Sequence, residues 1–125
     1  FEYGSGDSTK WYRAKGATVF GVDSNYDYVL PDIEYKVFFP EYCEAIMFYA
    51  PVQFDIVVID GEWRDECTQY ALQALKPNGI LIIDNWMQPS VEMNWAKTVK
   101  LIEGKTIGFH KEPEHADWQT IIVIK

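Results

Sequence analysis

Two runs in this 125-residue chain, FDIVVID at Phe54–Asp60 and ILIID at Ile80–Asp84, constrain its fold more than any other feature. Each is almost continuously apolar, the pattern of a central strand covered on both faces. Between them Cys67, Tyr70, Ala71, Ala74 and Leu75 share one helical stripe, closed by Lys76-Pro77-Asn78-Gly79. Such alternation of strand and helix predicts an α/β domain with a mainly parallel sheet.

The rest of the chain continues the alternation. Phe1–Tyr3 reads as the tail of a first strand, Gly4–Asp7 as a tight turn, and Ser8–Lys15 as a helix with Ser8 as its N-cap, stopped at Gly16. Ala17–Asp23 predicts a second strand and Tyr35–Phe39 a third, closed by Pro40, with Ser24–Glu34 leaving room for only a turn or two of helix between them. Val91, Trp95, Thr98, Val99 and Ile102 recur at helical spacing up to Gly104. No helix fits between Thr106–His110 and Gln119–Ile124, so these strands must pair antiparallel, which reverses one strand at the edge of the sheet. Residues 1–125 are expected to form a single domain. Because the chain opens at Phe1 inside an apolar segment, a trimmed N-terminal part is also expected.

Composition narrows the function classes. Nineteen Asp and Glu against eleven Lys and Arg give a net charge of −8, a field that repels phosphate backbones and anionic membranes. Nucleic acid and membrane are therefore excluded as first choices of partner. No apolar run approaches the roughly 18 residues of a membrane helix. Cys43 and Cys67 lack metal-type spacing, and no Asn begins an Asn-x-Ser/Thr sequon, which suits a reducing, cytoplasmic location.

The turn Glu2-Tyr3-Gly4-Ser5-Gly6-Asp7-Ser8-Thr9 follows a strand and opens a helix, with two glycines where the backbone must bend and let a ligand approach. Strand two ends at Asp23, nineteen residues after Gly4, where an acid can accept hydrogen bonds from ribose hydroxyls. Nicotinamide dinucleotides and S-adenosylmethionine (SAM) both carry that ribose. A dinucleotide site wants a third glycine, and that position is Thr9. Glu2 would repel a pyrophosphate but suits the ammonium of a methionine moiety. The bland alternative is that Gly4 and Gly6 only shape the turn.

Taken together, EYGSGDST, VFGVD, FDIVVIDGEWRDEC, ALQALKPNGILIIDN and WQTIIVIK resemble the class I SAM-dependent methyltransferases, in motif order and almost from Phe1 to Lys125. The chain looks most similar to small bacterial members that read Glu-Tyr-Gly-Ser-Gly-x-Ser-Thr in the first turn, Asp-Gly-x-x-Arg-x-x-Cys after strand four and Asp-Asn after strand five. The resemblance implies a Rossmann-like three-layer sandwich, a mainly parallel seven-stranded sheet with one antiparallel edge strand and order 3-2-1-4-5-7-6. It also implies SAM held by Glu2, Gly4, Ser5, Gly6 and Asp23, with Ser8, Asp60 and Gly61 lining the same cofactor site. The methyl group would then be aimed at the ends of strands four and five, where Asp60 and Arg64 are the catalytic candidates. Two departures stand out: the second crossover is short, which touches the adenine wall, and the substrate-covering helix that many members carry before strand one is not among residues 1–125, as the expected trimming would leave it. After Asp84-Asn85 this chain reads Trp86-Met87-Gln88-Pro89, where the close group continues with Ser and a charged pair.

Asp60, Asp84 and Asn85 fall at the carboxyl ends of neighbouring central strands, where open α/β sheets bind ligands. Two carboxylates and a carboxamide suit a hard cation such as Mg²⁺. The trio resembles the metal site of cation-dependent O-methyltransferases acting on catechols and caffeoyl esters. Those enzymes place a lysine base shortly after the first Asp, whereas here the nearby residues are Glu62, Trp63 and Arg64, and an arginine stays protonated. Loop capping by the same three residues is an equal reading.

Trp11, Tyr12, Phe38, Phe39, Trp95 and Trp118 read as core or rim aromatics. Trp63 and Trp86 fall in loops at the ligand edge, where a ring could stack on adenine or an acceptor, or simply anchor the loop. His110 and His115 read as surface residues and Glu112–Asp117 as a solvated loop. The expected function is SAM-dependent methyl transfer to a small molecule, most simply at oxygen. A non-catalytic SAM-fold module or fragment, and a nicotinamide-dependent oxidoreductase, are the alternatives.

Overall fold

The computed structural model describes residues 1–86, 94–113 and 115–125, with backbone only at 112 and 115–117. Strands β1 (Glu2–Tyr3), β2 (Gly21–Asp23), β3 (Ile33–Tyr35), β4 (Phe54–Ile59), β5 (Leu75–Ile83), β6 (Thr106–Glu112) and β7 (His115–Ile124) form one seven-stranded sheet in the order β3-β2-β1-β4-β5-β7-β6. All neighbouring pairs are parallel except β5 with β7 and β6 with β7. The reversed strand β7 thus lies one place in from the edge, and β6 closes the sheet. Helices are α1 (Asp7–Ala14), α2 (Glu41–Glu44, running on as a 3-10 helix through Ala45–Tyr49), α3 (Arg64–Ala74) and α4 (Ala96–Ile102).

The sheet has two unequal faces. Val57, Ile59, Leu81, Ile83, Ile121 and Val123 point toward α2, α3 and α4 and are almost wholly buried, forming one cluster with Tyr3, Cys67, Ala71 and Ile102. The alternate residues face α1, and there Ile56 is 42% and Ile124 40% exposed. The expectation that FDIVVID is covered on both faces is therefore met in full on one face and in part on the other, where Val58 is buried and Ile56 is not. On the thinner side Tyr12 of α1 shares a groove with Val19, Ile56 and Val58, and a 3-10 turn, Tyr26–Tyr28, makes the crossover from β2 to β3.

Polar contacts join the helices of the thick layer. Asp65, 4% exposed near the start of α3, accepts from the backbone N–H of Thr98 at 2.7 Å and of Lys97 at 3.3 Å, satisfying amides at the start of α4 that no residue of α4 can reach. Thr68 and Thr98 meet hydroxyl to hydroxyl at 2.9 Å in the same seam.

Two local expectations are corrected. The third strand is Ile33–Tyr35 rather than Tyr35–Phe39. Ile33 supplies the buried side chain, whereas Phe38 and Phe39 are exposed on the loop that leads into α2. Ser8 does not cap α1: the helix starts at Asp7 with Gly6 as N-cap, and Thr9 Oγ1 accepts from the Gly6 N–H at 3.1 Å. Of the two readings of Trp86, burial favours the loop anchor over the stacking platform: its ring centroid lies 4.7 Å from that of Trp95. Val91, Met87-Gln88-Pro89 and the side chains of His115 and most of the 112–117 run lie outside the described residues.

Candidate functional site

The glycine turn is held from below by a carboxylate. Glu2, 1% exposed and the first residue of β1, accepts from Ser8 Oγ at 2.6 Å and from Thr9 Oγ1, so both of its oxygens are tied to the first turn of α1. Thr9, where a dinucleotide site would have its third glycine, is thereby a structural hub. Its hydroxyl donates to Glu2 and accepts from Gly6. Ser8 belongs to the same arrangement and reaches the site only through Glu2.

Gly4 and Gly6 do different jobs. Gly4 has φ +84°, and a Cβ there would stand 2.9 Å from the Asp60 carbonyl carbon and the Gly61 nitrogen. Its glycine character is demanded by the loop after β4 pressing against the turn. A Cβ on Gly61 in turn would stand 1.9 Å from Tyr42 Oη. Gly6 is the opposite case: nothing lies within 4 Å of where its Cβ would be, so its surface is open to a ligand.

Asp23, 5% exposed at the end of β2, closes the turn from the other side. Its Oδ2 accepts from the Ser5 N–H at 2.6 Å and its Oδ1 from the Asn25 N–H at 2.7 Å. The single hydroxyl hydrogen of Ser5 has two acceptors in reach, Asp23 Oδ2 at 3.0 Å and the Tyr28 carbonyl at 2.7 Å. When it turns to Tyr28, two of the four acceptor positions of the carboxylate are left for another donor pair.

At the ends of β4 and β5 the expected trio comes together around Arg64. Its Nε donates to the Gly61 carbonyl at 2.9 Å, Nη1 to the Asp84 carbonyl at 2.5 Å and to Asn85 Oδ1 at 2.8 Å, and Nη2 to the Asp60 carbonyl at 3.1 Å. Nη2 also lies 3.3 Å from Asp60 Oδ1. Burial pushes Asp60 up to about 6; Arg64 opposes the shift, and the carboxylates of Asp84 and Glu2 add to it. Asp84 Oδ1 accepts from Thr120 Oγ1 at 2.6 Å, a β7 residue that nothing in the sequence marks.

This arrangement leaves the Mg²⁺ expectation unsupported. Of the oxygens a cation would draw in, Asn85 Oδ1 already accepts from the Arg64 guanidinium and Asp60 Oδ1 is ion-paired with it, and among the described residues no group of three His, Cys, Asp or Glu side chains is placed to hold a metal. The site residues as a whole lie at the carboxyl edge of β1, β2, β4 and β5. A groove of about 300 Å³ lined by Tyr12, Val19, Phe54, Ile56 and Val58 opens instead along the α1 face toward the amino ends of the strands, and of the expected site residues only Glu2 borders it. Trp63 packs its ring 5.4 Å from Tyr42 and 6.5 Å from Phe39, walling the loop after β4.

No protein-family model matches the chain, and no curated protein matches it in sequence. In three dimensions it is similar to an rRNA methylase from Streptococcus thermophilus, with TM-score 0.67 and 11% identity over 99% of this chain and 84% of that one. It is similar also to a protein of Clostridium thermocellum described as an rRNA methylase, with TM-score 0.64 and 13% identity over 98% and 82% of the two chains. A third is a Streptococcus mutans protein described as a methyltransferase, solved with S-adenosylhomocysteine, with TM-score 0.61 and 10% identity over 99% and 83%. At these identities the likeness establishes the fold: the chain has the class I methyltransferase fold, with the strand order that the sequence resemblance implied.

Proposed function

We propose that residues 1–125 form one SAM-dependent methyltransferase domain, acting in the cytoplasm on a small-molecule acceptor at oxygen. The observation that carries the reading is the juxtaposition of an open Gly6 with the buried Asp23 at the carboxyl edge, both fixed by the turn Gly4–Thr9. That one of the similar folds was solved with S-adenosylhomocysteine supports it.

The residues fit the cofactor. Asp23 offers two acceptor positions to vicinal ribose hydroxyls, and Gly6 lets a ligand lie against the backbone. Glu2, tied to Ser8 and Thr9, contributes negative potential beneath the turn rather than direct contact. Gly61 brings the loop after β4 against Gly4, which sets Asp60 beside the expected methyl position. SAM supplies an electrophilic methyl group on a sulfonium. What the chain adds is placement: Asp60 and Asn85 hold an acceptor hydroxyl at the ends of β4 and β5, and Asp60, whose carboxyl titrates near 6, takes up the hydroxyl proton.

The rRNA acceptors named for two similar folds define the competing reading. A net charge of −8 opposes it, because the chain would repel the phosphates it must hold. Methyl transfer from radiolabelled SAM to a panel of hydroxylated aromatics and to ribosomal RNA separates the two. Label in the small hydroxylated acceptors supports the proposal, and label in RNA alone overturns the choice of acceptor.

A further inference from the structure

The charge at the centre of the Asp60, Asp84 and Asn85 cluster comes from the chain itself. Arg64 makes four hydrogen bonds, to the carbonyls of Gly61, Asp84 and Asp60 and to the carboxamide oxygen of Asn85, and its Nη2 is ion-paired with the Asp60 carboxylate at 3.3 Å. The residue is 8% exposed, so these partners rather than water satisfy it. An arginine in the first turn of a helix is placed against the helix dipole. Here its side chain turns back from α3 onto carbonyl oxygens of the two loops, which supply the compensating negative ends of dipoles.

Both loops it joins carry non-glycine residues in left-handed backbone, Trp63 at φ 45° and Asn85 at φ 49°. Such residues persist where surrounding contacts over-determine them, and the Arg64 fork bonds to Asn85 itself and to Gly61, two residues before Trp63. A lysine could not do the same. Its ammonium is a point charge with three donors, whereas the four hydrogen bonds here leave from all three nitrogens of a planar guanidinium.

We propose that Arg64 is a built-in cation: a positioning residue that occupies the place a divalent metal would take between Asp60 and Asn85 and locks the loops after β4 and β5 together, so that the acceptor end of the site is assembled without metal. The catalytic meaning of this assignment rests on the methyltransferase reading; the geometry and its test do not.

The test uses Mn²⁺ alone, followed by the paramagnetic resonance of the free ion and by thermal melting. The wild-type chain should bind no Mn²⁺ up to about 1 mM and melt at an unchanged temperature. Arg64→Ala uncovers the oxygens, so it should gain a single Mn²⁺ site, with a melting temperature that rises with the ion and a gain that vanishes in Arg64→Ala/Asp60→Asn. Stoichiometric Mn²⁺ binding by the wild type that is lost in Asp60→Asn overturns the proposal, as does a folded Arg64→Ala chain indifferent to Mn²⁺. If Arg64→Ala does not fold, Arg64→Lys decides. It keeps the charge but not the fork, and its folding equilibrium constant should fall at least about tenfold; wild-type stability in that variant overturns the proposal. Failure of the wild type to bind SAM would sink the methyltransferase reading and leave the Mn²⁺ results intact.

Discussion

Replacing Thr9 by valine isolates the hub beneath the glycine turn. The substitution preserves shape but deletes a hydroxyl that donates to the Glu2 carboxylate and accepts from the Gly6 N–H. Thr9 is 0% and Glu2 1% exposed, so no water can stand in for the missing group. A hydrogen bond to a charged group contributes about 1.5 to 3 kcal/mol, and loss of the capping interaction at Gly6 adds about 1 kcal/mol. Thr9→Val should therefore destabilise the chain by about 2.5 to 4 kcal/mol, a large part of the 5 to 15 kcal/mol typical of a domain. Thr9→Ser keeps both hydrogen bonds and loses one buried methyl, for about 1 kcal/mol. Urea unfolding followed by tryptophan fluorescence reads both, and the valine variant should shift the midpoint without changing the slope. A Thr9→Val chain within about 1 kcal/mol of Thr9→Ser would refute the assignment of Thr9 as the residue that secures Glu2.

Further outcomes follow from other contacts. Gly61→Ala should cost about 1 to 3 kcal/mol through collision with Tyr42 Oη, and Tyr42→Phe should relieve much of it; a double-mutant cycle with no coupling contradicts the contact. Asp65→Ala, by stripping the start of α4 of its acceptor, should lower stability by about 2 to 3 kcal/mol, and a loss under about 0.5 kcal/mol in urea unfolding counts against that cap. The Asp60 carboxyl is raised from 3.8 to about 6 in the fold, so the native state binds the extra proton and the wild type should lose stability relative to Asp60→Asn as pH climbs through that window. Because the side chain is 44% exposed, the swing should be about 1 kcal/mol; a difference that is flat or opposite in sign from pH 4 to 7 disagrees.

What the sequence made legible was whatever depends on local pattern. FDIVVID and ILIID are strands because continuous apolar runs have no other stable place, and the helical stripe from Cys67 to Ala74 is buried as its spacing requires. The position of β7 between β5 and β6 was read from family likeness, since antiparallel pairing of two strands does not say which of them meets β5. The third strand was misplaced because YKVFF has strand composition, while the strand formed is decided by Ile33 reaching the core against Gly21.

The site divides the same way. Gly4, Gly6 and Asp23 stand out by type and spacing. Thr120 does not, because only the register that sets Ile83 against Ile121 brings it to Asp84. Arg64 was visible as a residue but not as a cation bridging two loops, since spacing along one helix says nothing of the loop after the next strand. Ser8 looked like a cap because serine caps helices, yet Thr9 already serves the Gly6 amide and Glu2 claims the serine hydroxyl.

The central claim, a SAM site built from Gly6 and Asp23, is tested most directly by calorimetric titration of the chain with SAM, S-adenosylhomocysteine and NAD, repeated on Gly6→Val. The account predicts micromolar binding of the first two ligands, about −8 kcal/mol, no binding of NAD, and loss of binding in the valine variant while its melting temperature stays near that of the wild type, because the Gly6 Cβ position is empty in the fold. NAD binding in preference to SAM, or SAM affinity untouched by Gly6→Val, would contradict it.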